Sequence, residues 1–443
     1  MSIKFADLFS GIGGFHAIGS VFGWSGTYAC DIDSNARNIY NLNWQFEPSE
    51  DITKDASETV MKVPKHEVLF AGFPCQPFSK SGKQNGMDEA RGTLFWNIAN
   101  IIKIQKPKLV ILENVANLAG PRHKHEWEVI IGTLRELNYR VSDEPLIISP
   151  HNILPQYGGR PQTRPRIYIA ATYVPKNLQK KYTLFADNLN LGAVTVKNNS
   201  TSWNLLSDLK MDSKLTKKQA EVLKLNKQEE YWLKVWENLL NRFPIVKNES
   251  RLPGFPIWAD VWLGNIKIKR NDPVWKKDFI NKNLLFYSNN KKIIDAWLKK
   301  YSKLKDIPAS RRKFEWQAGD TSSIYDCLIQ LRPSGIRVKR ANYVPAAVAI
   351  TQTSIVGKLH RKLSVREVAR LQGLPDWFSF KNQSDSLTYK QLGNGISVGA
   401  GYQCIKAVIE RDKEILNITC KQIVKSVTSA PKNPDTVLRK KTV

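Results

Sequence analysis

Cysteine is scarce in this 443-residue chain: five residues, Cys30, Cys75, Cys327, Cys404 and Cys420, widely scattered and with no C-x-x-C pair. No Cys/His cluster has zinc-ligand spacing, so neither a metal site nor a disulfide framework is expected. No apolar stretch is long enough to span a bilayer. The start, MSIKFADLFSG, lacks the basic, apolar and cleavage regions of a secretory signal. The expectation is a cytoplasmic protein with reduced thiols and no membrane partner. Acidic residues are also short: 40 Asp and Glu stand against 67 Lys and Arg, a formal charge of +27. That excess points to a polyanionic partner, nucleic acid being the commonest; a generally Lys- and Asn-rich proteome is the alternative. The apolar fraction, 42%, is that of an ordinary globular protein, and the length suffices for two or three domains.

The first part of the chain alternates strand and helix patterns. Strands are expected at Ile3–Phe9, Gly26–Cys30, Glu67–Ala71, Leu109–Leu112, Tyr139–Leu146 and Arg166–Thr172. Helical spacing occupies Phe15–Phe22, SNARNIYNLNW, TLFWNIANIIKIQ and HEWEVIIGTLRELNY. The alternation predicts an α/β fold, a doubly wound, mostly parallel sheet with helices on both faces. Ligands of such sheets bind beyond the carboxyl ends of the strands, and Gly11, Asp31, Cys75 and Glu113 all fall there. From about Pro175 to Trp316 the chain becomes Lys- and Asn-rich with interspersed Trp, as in KLNKQEEYWLKVWENLLNRF and WADVWLGNIKIKRNDPVWKKDF. This reads as a separate basic module, most of its Trp residues serving as core. The end, APKNPDTVLRKKTV, is expected to be disordered.

Three stretches carry chemistry. DLFSGIGG is a strand followed by a glycine turn; Gly11, Gly13 and Gly14 allow a ligand to approach the backbone closely. Asp31 ends the next strand, where an acid hydrogen-bonds ribose hydroxyls in nucleotide-binding sheets; a helix N-cap is its alternative role. The turn is not G-x-G-x-x-G, so an adenosyl ligand without a pyrophosphate, such as S-adenosylmethionine, fits better than a dinucleotide. In FAGFPCQPFSKSG, Cys75 lies between Pro74 and Pro77 just after a strand. A thiolate there is a nucleophile; a buried loop thiol is the alternative.

DLFSGIGG, GFPCQPFSKSG, the Glu113–Val115 stretch ENV, QTRPR at Gln162–Arg166, RKLSVREVARLQGLP at Arg361–Pro375 and QLGNGISV at Gln391–Val398 occur in one order. Together they resemble the DNA cytosine-C5 methyltransferase family over residues 1–175 and 335–410, the segment between carrying none of the likeness. The resemblance implies a Rossmann-like S-adenosylmethionine-dependent methyltransferase fold with a smaller target-recognition domain. It implies a catalytic domain over 1–175, a recognition domain over 176–385 with a variable insert over 176–335, a return to the catalytic domain over 386–420 and a basic tail over 421–443. It assigns Cys75 as the nucleophile that adds to cytosine C6, Glu113 as the acid at N3, and Arg164 and Arg166 as electrostatic partners of the reacting ring. For Arg164 and Arg166, phosphate contact or a structural ion pair is the competing role. The donor, S-adenosylmethionine, would lie against Phe9, Gly11, Gly13, Gly14, Asp31, Ile32, Asp51, Ile52, Pro74, Leu94 and Asn394. Gln76, Ser79, Ser81 and Thr351 would touch DNA, with SKSGKQNGM closing over a flipped base. Two departures stand out: Asp31 where the family has Glu, and Gly395-Ile396 where it has Ser or Ala then Val, which should loosen that turn.

The implied substrate is double-stranded DNA, methylated at C5 of a cytosine by a monomer. The setting is a bacterial, nucleoid-associated restriction–modification system with a cognate restriction endonuclease as partner. A tRNA cytosine-C5 methyltransferase shares the catalytic stretches but typically lacks so large an insert. A non-catalytic DNA-binding regulator is the reading from another class, and the full set of catalytic residue types argues against it.

Overall fold

The computed structural model describes residues 2–74, 93–196, 203–211, 215–346 and 353–440. Two compact units emerge: Met1–Ser202 with Ala346–Ala349 and Val368–Val443, and Trp203–Pro345 with Ile350–Glu367. The second unit thus begins nearer residue 203 than 176 and ends at 367 rather than 385.

The first unit holds β1 (Lys4–Leu8), α1 (Gly14–Val21), β2 (Ser25–Cys30), α2 (Ser34–Trp44), α3 (Ile52–Asp55), β3 (Val68–Gly72), α4 (Leu94–Gln105), β4 (Leu109–Val115), α5 (Lys124–Glu136), β5 (Tyr139–Arg140), β6 (Leu146–Ile148) and β7 (Arg166–Tyr173). The sheet order is β2-β1-β3-β4-β7-β5, with β6 also on β7. The first four strands are parallel; β7 runs antiparallel to β4, β5 and β6. Central strands covered on both faces read as unbroken apolar runs, and β3 and β4 are buried from Val68 to Ala71 and from Leu109 to Asn114. Phe15 of α1 stacks on Phe70 from one face, centroids 4.8 Å apart, while Ile98, Ile101 and Ile102 of α4 join the cluster of Leu69, Val110 and Leu112. The strand expected over Tyr139–Leu146 is two short strands, because its middle turns away from β7 to bond residues 184–186 instead.

The second unit contains α6 (Leu205–Asp208), α7 (Lys217–Leu223), α8 (Lys227–Leu240), β8 (Ile257–Trp258), α9 (Ala259–Trp262), α10 (Val274–Asn289), α11 (Lys291–Lys300), β9 (Lys313–Gln317), β10 (Cys327–Arg332), β11 (Gly335–Arg340), β12 (Ile355–Val356) and β13 (Arg361–Lys362). Its six-stranded sheet runs β13-β12-β10-β11-β9-β8. Trp236, Trp297 and Trp316 are fully buried in the core of this unit, as expected for most of its Trp residues. Trp275 is the contrast, 58% exposed.

The boundary between the units falls within α12 (Val365–Gln372). The first unit then continues through α13 (Asp385–Asn394), α14 (Val398–Arg411), α15 (Lys413–Ser429) and α16 (Asp435–Leu438). The basic tail over 421–443, expected to be disordered, is helix up to Ser429, the end of α15, and again over Asp435–Leu438. Its apolar residues Ile423, Val424, Val427 and Leu438 are buried, Ser426 accepts the Trp24 indole N–H at 2.8 Å, and both carboxylate oxygens of Asp435 accept from Nη2 of Arg160, at 2.6 and 2.8 Å. In KQIVKSVTS the lysines stay in water while the apolar side docks.

Candidate active site

The carboxyl ends of β1 to β4 converge on a cavity of about 470 Å³. Its first wall is the turn after β1. Phe9, Gly11 and Gly13 all adopt positive φ, at 55°, 53° and 89°. At Gly13 only glycine fits: a Cβ would lie 2.1 Å from Nε1 of Trp44, whose indole N–H donates to Ile12 O. At Gly11 the space a Cβ would take is open. His16 stacks on Trp44 and pairs with the Tyr40 hydroxyl at 2.7 Å; burial holds its imidazole near pKa 4, so it stays neutral and fixes α1 against α2.

Asp31 ends β2. One carboxylate oxygen accepts the Gly11 N–H at 2.8 Å and the other the Asp33 N–H at 2.9 Å. The helix cap is Asp33, which accepts from Asn35 and Ala36, so the capping alternative for Asp31 is taken by its neighbour. Burial pushes the Asp31 carboxyl above its ordinary value, against those two N–H bonds. Ile32 stands 80% exposed on the rim. Asp51 caps α3 through Thr53, whose hydroxyl bond holds its carboxyl below the usual range, and Ile52 lies beside it. Gly14, Pro74, Leu94 and Asn394 also line the cavity.

The opposite wall is charged. Glu113 at the end of β4 is buried, and its Oε1 lies 3.2 Å from Nε of Arg166. Burial raises the carboxyl above its ordinary value even though Arg166 and Arg164 pull it down. Arg166 is displayed by β7, where it pairs with Val115 in the ladder. Arg164 is placed differently. It is 1% exposed, and its Nη2 donates to Gly393 O at 2.9 Å and Gly395 O at 2.8 Å; burial pushes its guanidinium down to about 10. These contacts are those of a residue that holds a turn. They also answer the departure at Gly395: its carbonyl is fixed by Arg164, its φ of −65° is ordinary, and Ile396 packs so close to Gly14 that a Cβ there would meet it at 2.8 Å. The turn is pinned, not loosened.

Asn114, also buried, donates from Nδ2 to Phe73 O at 3.0 Å, tying the stretch before Cys75 to β4. Cys75, Gln76, Ser79, Ser81 and Thr351 themselves lie outside the described residues. Further cavity residues were not singled out from sequence, among them Ser10, Ile12 and Gly72. Ser10 is the most telling, a buried hydroxyl with no partner among the described residues. Its signal was present in FSGIGG, where a lone polar side chain sits inside an apolar strand-turn.

Doubly wound topology, a closing antiparallel strand and a ligand cavity at the carboxyl ends of the parallel strands define a Rossmann-like methyltransferase fold. Residues 3–410 match the family model described as C-5 cytosine-specific DNA methylase, and the chain belongs to that family of DNA (cytosine-5-)methyltransferases. The chain is 39% identical to Type II methyltransferase M.AluI of Cellulosimicrobium cellulans, over 94% of each protein. It is 30% identical to Type II methyltransferase M.HgiCI of Herpetosiphon aurantiacus, over 92% of this chain and 97% of that protein. Type II methyltransferase M.HhaI of Haemophilus parahaemolyticus is 38% identical over 177 residues, 40% of this chain and 51% of that protein. A match over 94% of the chain extends into the basic middle segment, which the motifs do not reach. No described helix is long and apolar enough to cross a membrane. Among the described residues no His, Cys, Asp and Glu group could hold a metal ion.

Proposed function

We propose that the enzyme methylates C5 of a cytosine flipped out of duplex DNA, through a covalent adduct of Cys75 with C6 and with S-adenosylmethionine as donor. The observation that carries this reading is Glu113: a buried carboxyl with a raised pKa, at hydrogen-bonding distance from Arg166, on the wall of the cavity that receives the Phe73-Pro74 stretch before Cys75.

The cavity suits the donor. A Ser10 hydroxyl with no partner among the described residues and the open space beside Gly11 offer a polar group and room at the backbone turn. Asp31 would take the ribose hydroxyls on its remaining lone pairs, with Asp51 at the adenine amine, Ile32 over its face and Asn394 towards the methionine end. Bound there, S-adenosylmethionine supplies the electrophilic methyl group that C5 takes up.

Cytosine C5 is a weak nucleophile until C6 carries a new bond. The Cys75 thiolate adds to C6, and the ring electrons move towards N3. Glu113 gives its proton to N3, leaving an enamine whose nucleophilic carbon is C5. Arg166 stabilises charge at O2, and its guanidinium favours the Glu113 carboxylate formed when the proton moves to N3. After methylation, the C5 proton is lost to solvent, the C6–S bond breaks and the N3 proton returns to Glu113, which restores the aromatic ring, the thiolate and the acid. The base must leave the stack for Cys75 to reach it, at a cost of a few kcal/mol. Gln76, Ser79, Ser81 and Thr351 are assigned to the DNA side of that event. The second unit is the recognition domain, and a cognate endonuclease cutting the same site is the partner expected of a type II modification enzyme.

Arg164 acts as a positioning residue. Arg164→Lys cannot reach both carbonyls and is expected to raise the KM for the donor about tenfold, the equivalent of losing one buried hydrogen bond, with kcat changed less. Arg166→Lys is expected to do the reverse, lowering kcat with little change in donor KM. Steady-state kinetics at saturating DNA separates the two. The functional reading is tested by bisulfite sequencing of DNA from cells expressing the protein, alongside tritiated methyl transfer to duplex DNA and to tRNA. Methylated cytosines in one short motif are expected; label in tRNA alone would defeat the proposal.

A further inference from the structure

The sheet of the second unit has two unlike faces. Phe314 and Trp316 of β9, Ile329 and Leu331 of β10, and Ile336 and Val338 of β11 point into the core. The alternate residues form the other face; Leu328 of β10 is fully buried there, and beside it the three strands present Lys313, Glu315, Gln330, Arg332, Arg337 and Lys339. Ladder register places Glu315, Arg337 and Gln330 side by side in one row across the strands. Four cations thus share a face with a single carboxylate.

That carboxylate is spent on orienting the arginines. Glu315 Oε2 accepts from Nε of Arg337 at 3.0 Å and also from Nη2 of Arg332. Arg332 keeps a buried Nε with no partner among the described residues. Lys313 lies over the Trp258 ring, 5.2 Å from its centroid, and Lys339 lies 3.6 Å from the centroid of Tyr343. Burial pushes the Lys339 amine down to about 8, a cost that a nearby anion would relieve. A face built to pack on another protein layer would be apolar. This one is cationic and carries planar, preoriented guanidiniums beside an amide. Arg and Gln are the side chains that bond purine edges in two places, and strands can enter a DNA groove.

We propose that this face contacts the duplex in the enzyme–DNA complex, with Arg332 and Arg337 as the contacting cations and Glu315 as the residue that positions them. The inference rests on the DNA methyltransferase reading and adds the surface that meets the substrate.

The test uses the full chain and a duplex carrying the motif found by bisulfite sequencing. The double variant Arg332→Gln/Arg337→Gln is expected to weaken duplex binding at least about tenfold, two charged contacts being lost, while donor affinity and Tm stay near wild type. Duplex affinity within about twofold of wild type, in a folded double variant, would overturn the proposal. A second measurement needs no variant: phenylglyoxal modification of Arg332 and Arg337 in the wild-type chain should fall at least about threefold on adding saturating duplex, because the contacts exclude the reagent. Equal modification with and without duplex would overturn it as well. Wild-type methyl transfer to the same duplex is scored in parallel. Failure of the functional reading shows as no transfer by wild type; failure of this inference shows as normal transfer with unprotected arginines.

Discussion

Cys75→Ser is expected to abolish methyl transfer, lowering it by at least about three orders of magnitude, while leaving donor and duplex binding intact. The reaction needs a soft, partly ionised nucleophile at C6, and a serine hydroxyl has almost no alkoxide near neutral pH. The other four cysteines cannot substitute. Cys30, Cys327 and Cys404 are buried, with thiols pushed up to about 12, and Cys420 sits on α15 with its thiol also raised by burial. Kinetics must be paired with binding. Lost turnover with unchanged donor and DNA affinity identifies the nucleophile. Lost turnover with lost binding would mean that the substitution had disturbed the loop instead.

Glu113→Gln is expected to move activity and stability in opposite directions. Turnover should fall by about 10²- to 10⁴-fold, the usual worth of a positioned acid, because an amide cannot pass a proton to N3. Stability at alkaline pH should hold or rise. The folded-state pKa of Glu113 is raised above its unfolded value by burial. Its contribution is therefore fully present below the unfolded pKa and is lost as pH rises through the folded pKa. Glutamine carries no charge to bury, so the variant escapes that loss and can still accept a bond from Arg166. Wild-type kcat should decline on the alkaline side as Glu113 ionises, and the residual activity of the variant should lack that limb. Tm measured across pH, with kcat in the same buffers, checks both signs. A parallel fall in Tm and kcat would show that the carboxylate holds the fold together.

Much of this was legible in the chain because buried parallel strands are continuous apolar runs. VLFAG and LVILENV declared themselves, and with them the loops at their carboxyl ends. Glycine at φ of 89° beside a tryptophan is likewise a local requirement, so the turn after β1 showed in the sequence. What did not show depended on partners far along the chain. Arg164 reads as a twin of Arg166 two residues on, and only the carbonyls of Gly393 and Gly395 give it a different task. Gly395 alone suggests slack, which an arginine 231 residues away removes. The end of the chain, expected to be disordered, is held by Trp24 and Arg160, hundreds of residues earlier. Ser10 looked like one more turn residue, and its unpartnered hydroxyl becomes informative only inside a cavity.

The central claim is a covalent bond between Cys75 and the C6 of a cytosine. A duplex carrying 5-fluorocytosine at the methylated position tests it directly, because fluorine cannot leave C5 as a proton does and the last elimination stalls. Incubated with S-adenosylmethionine, the wild-type chain should yield a denaturant-resistant species whose mass is that of protein plus methylated duplex strand, attached through Cys75; Cys75→Ser should yield none. A wild-type enzyme that methylates ordinary duplex yet forms no such species, or an adduct mapped to another residue, would contradict the account.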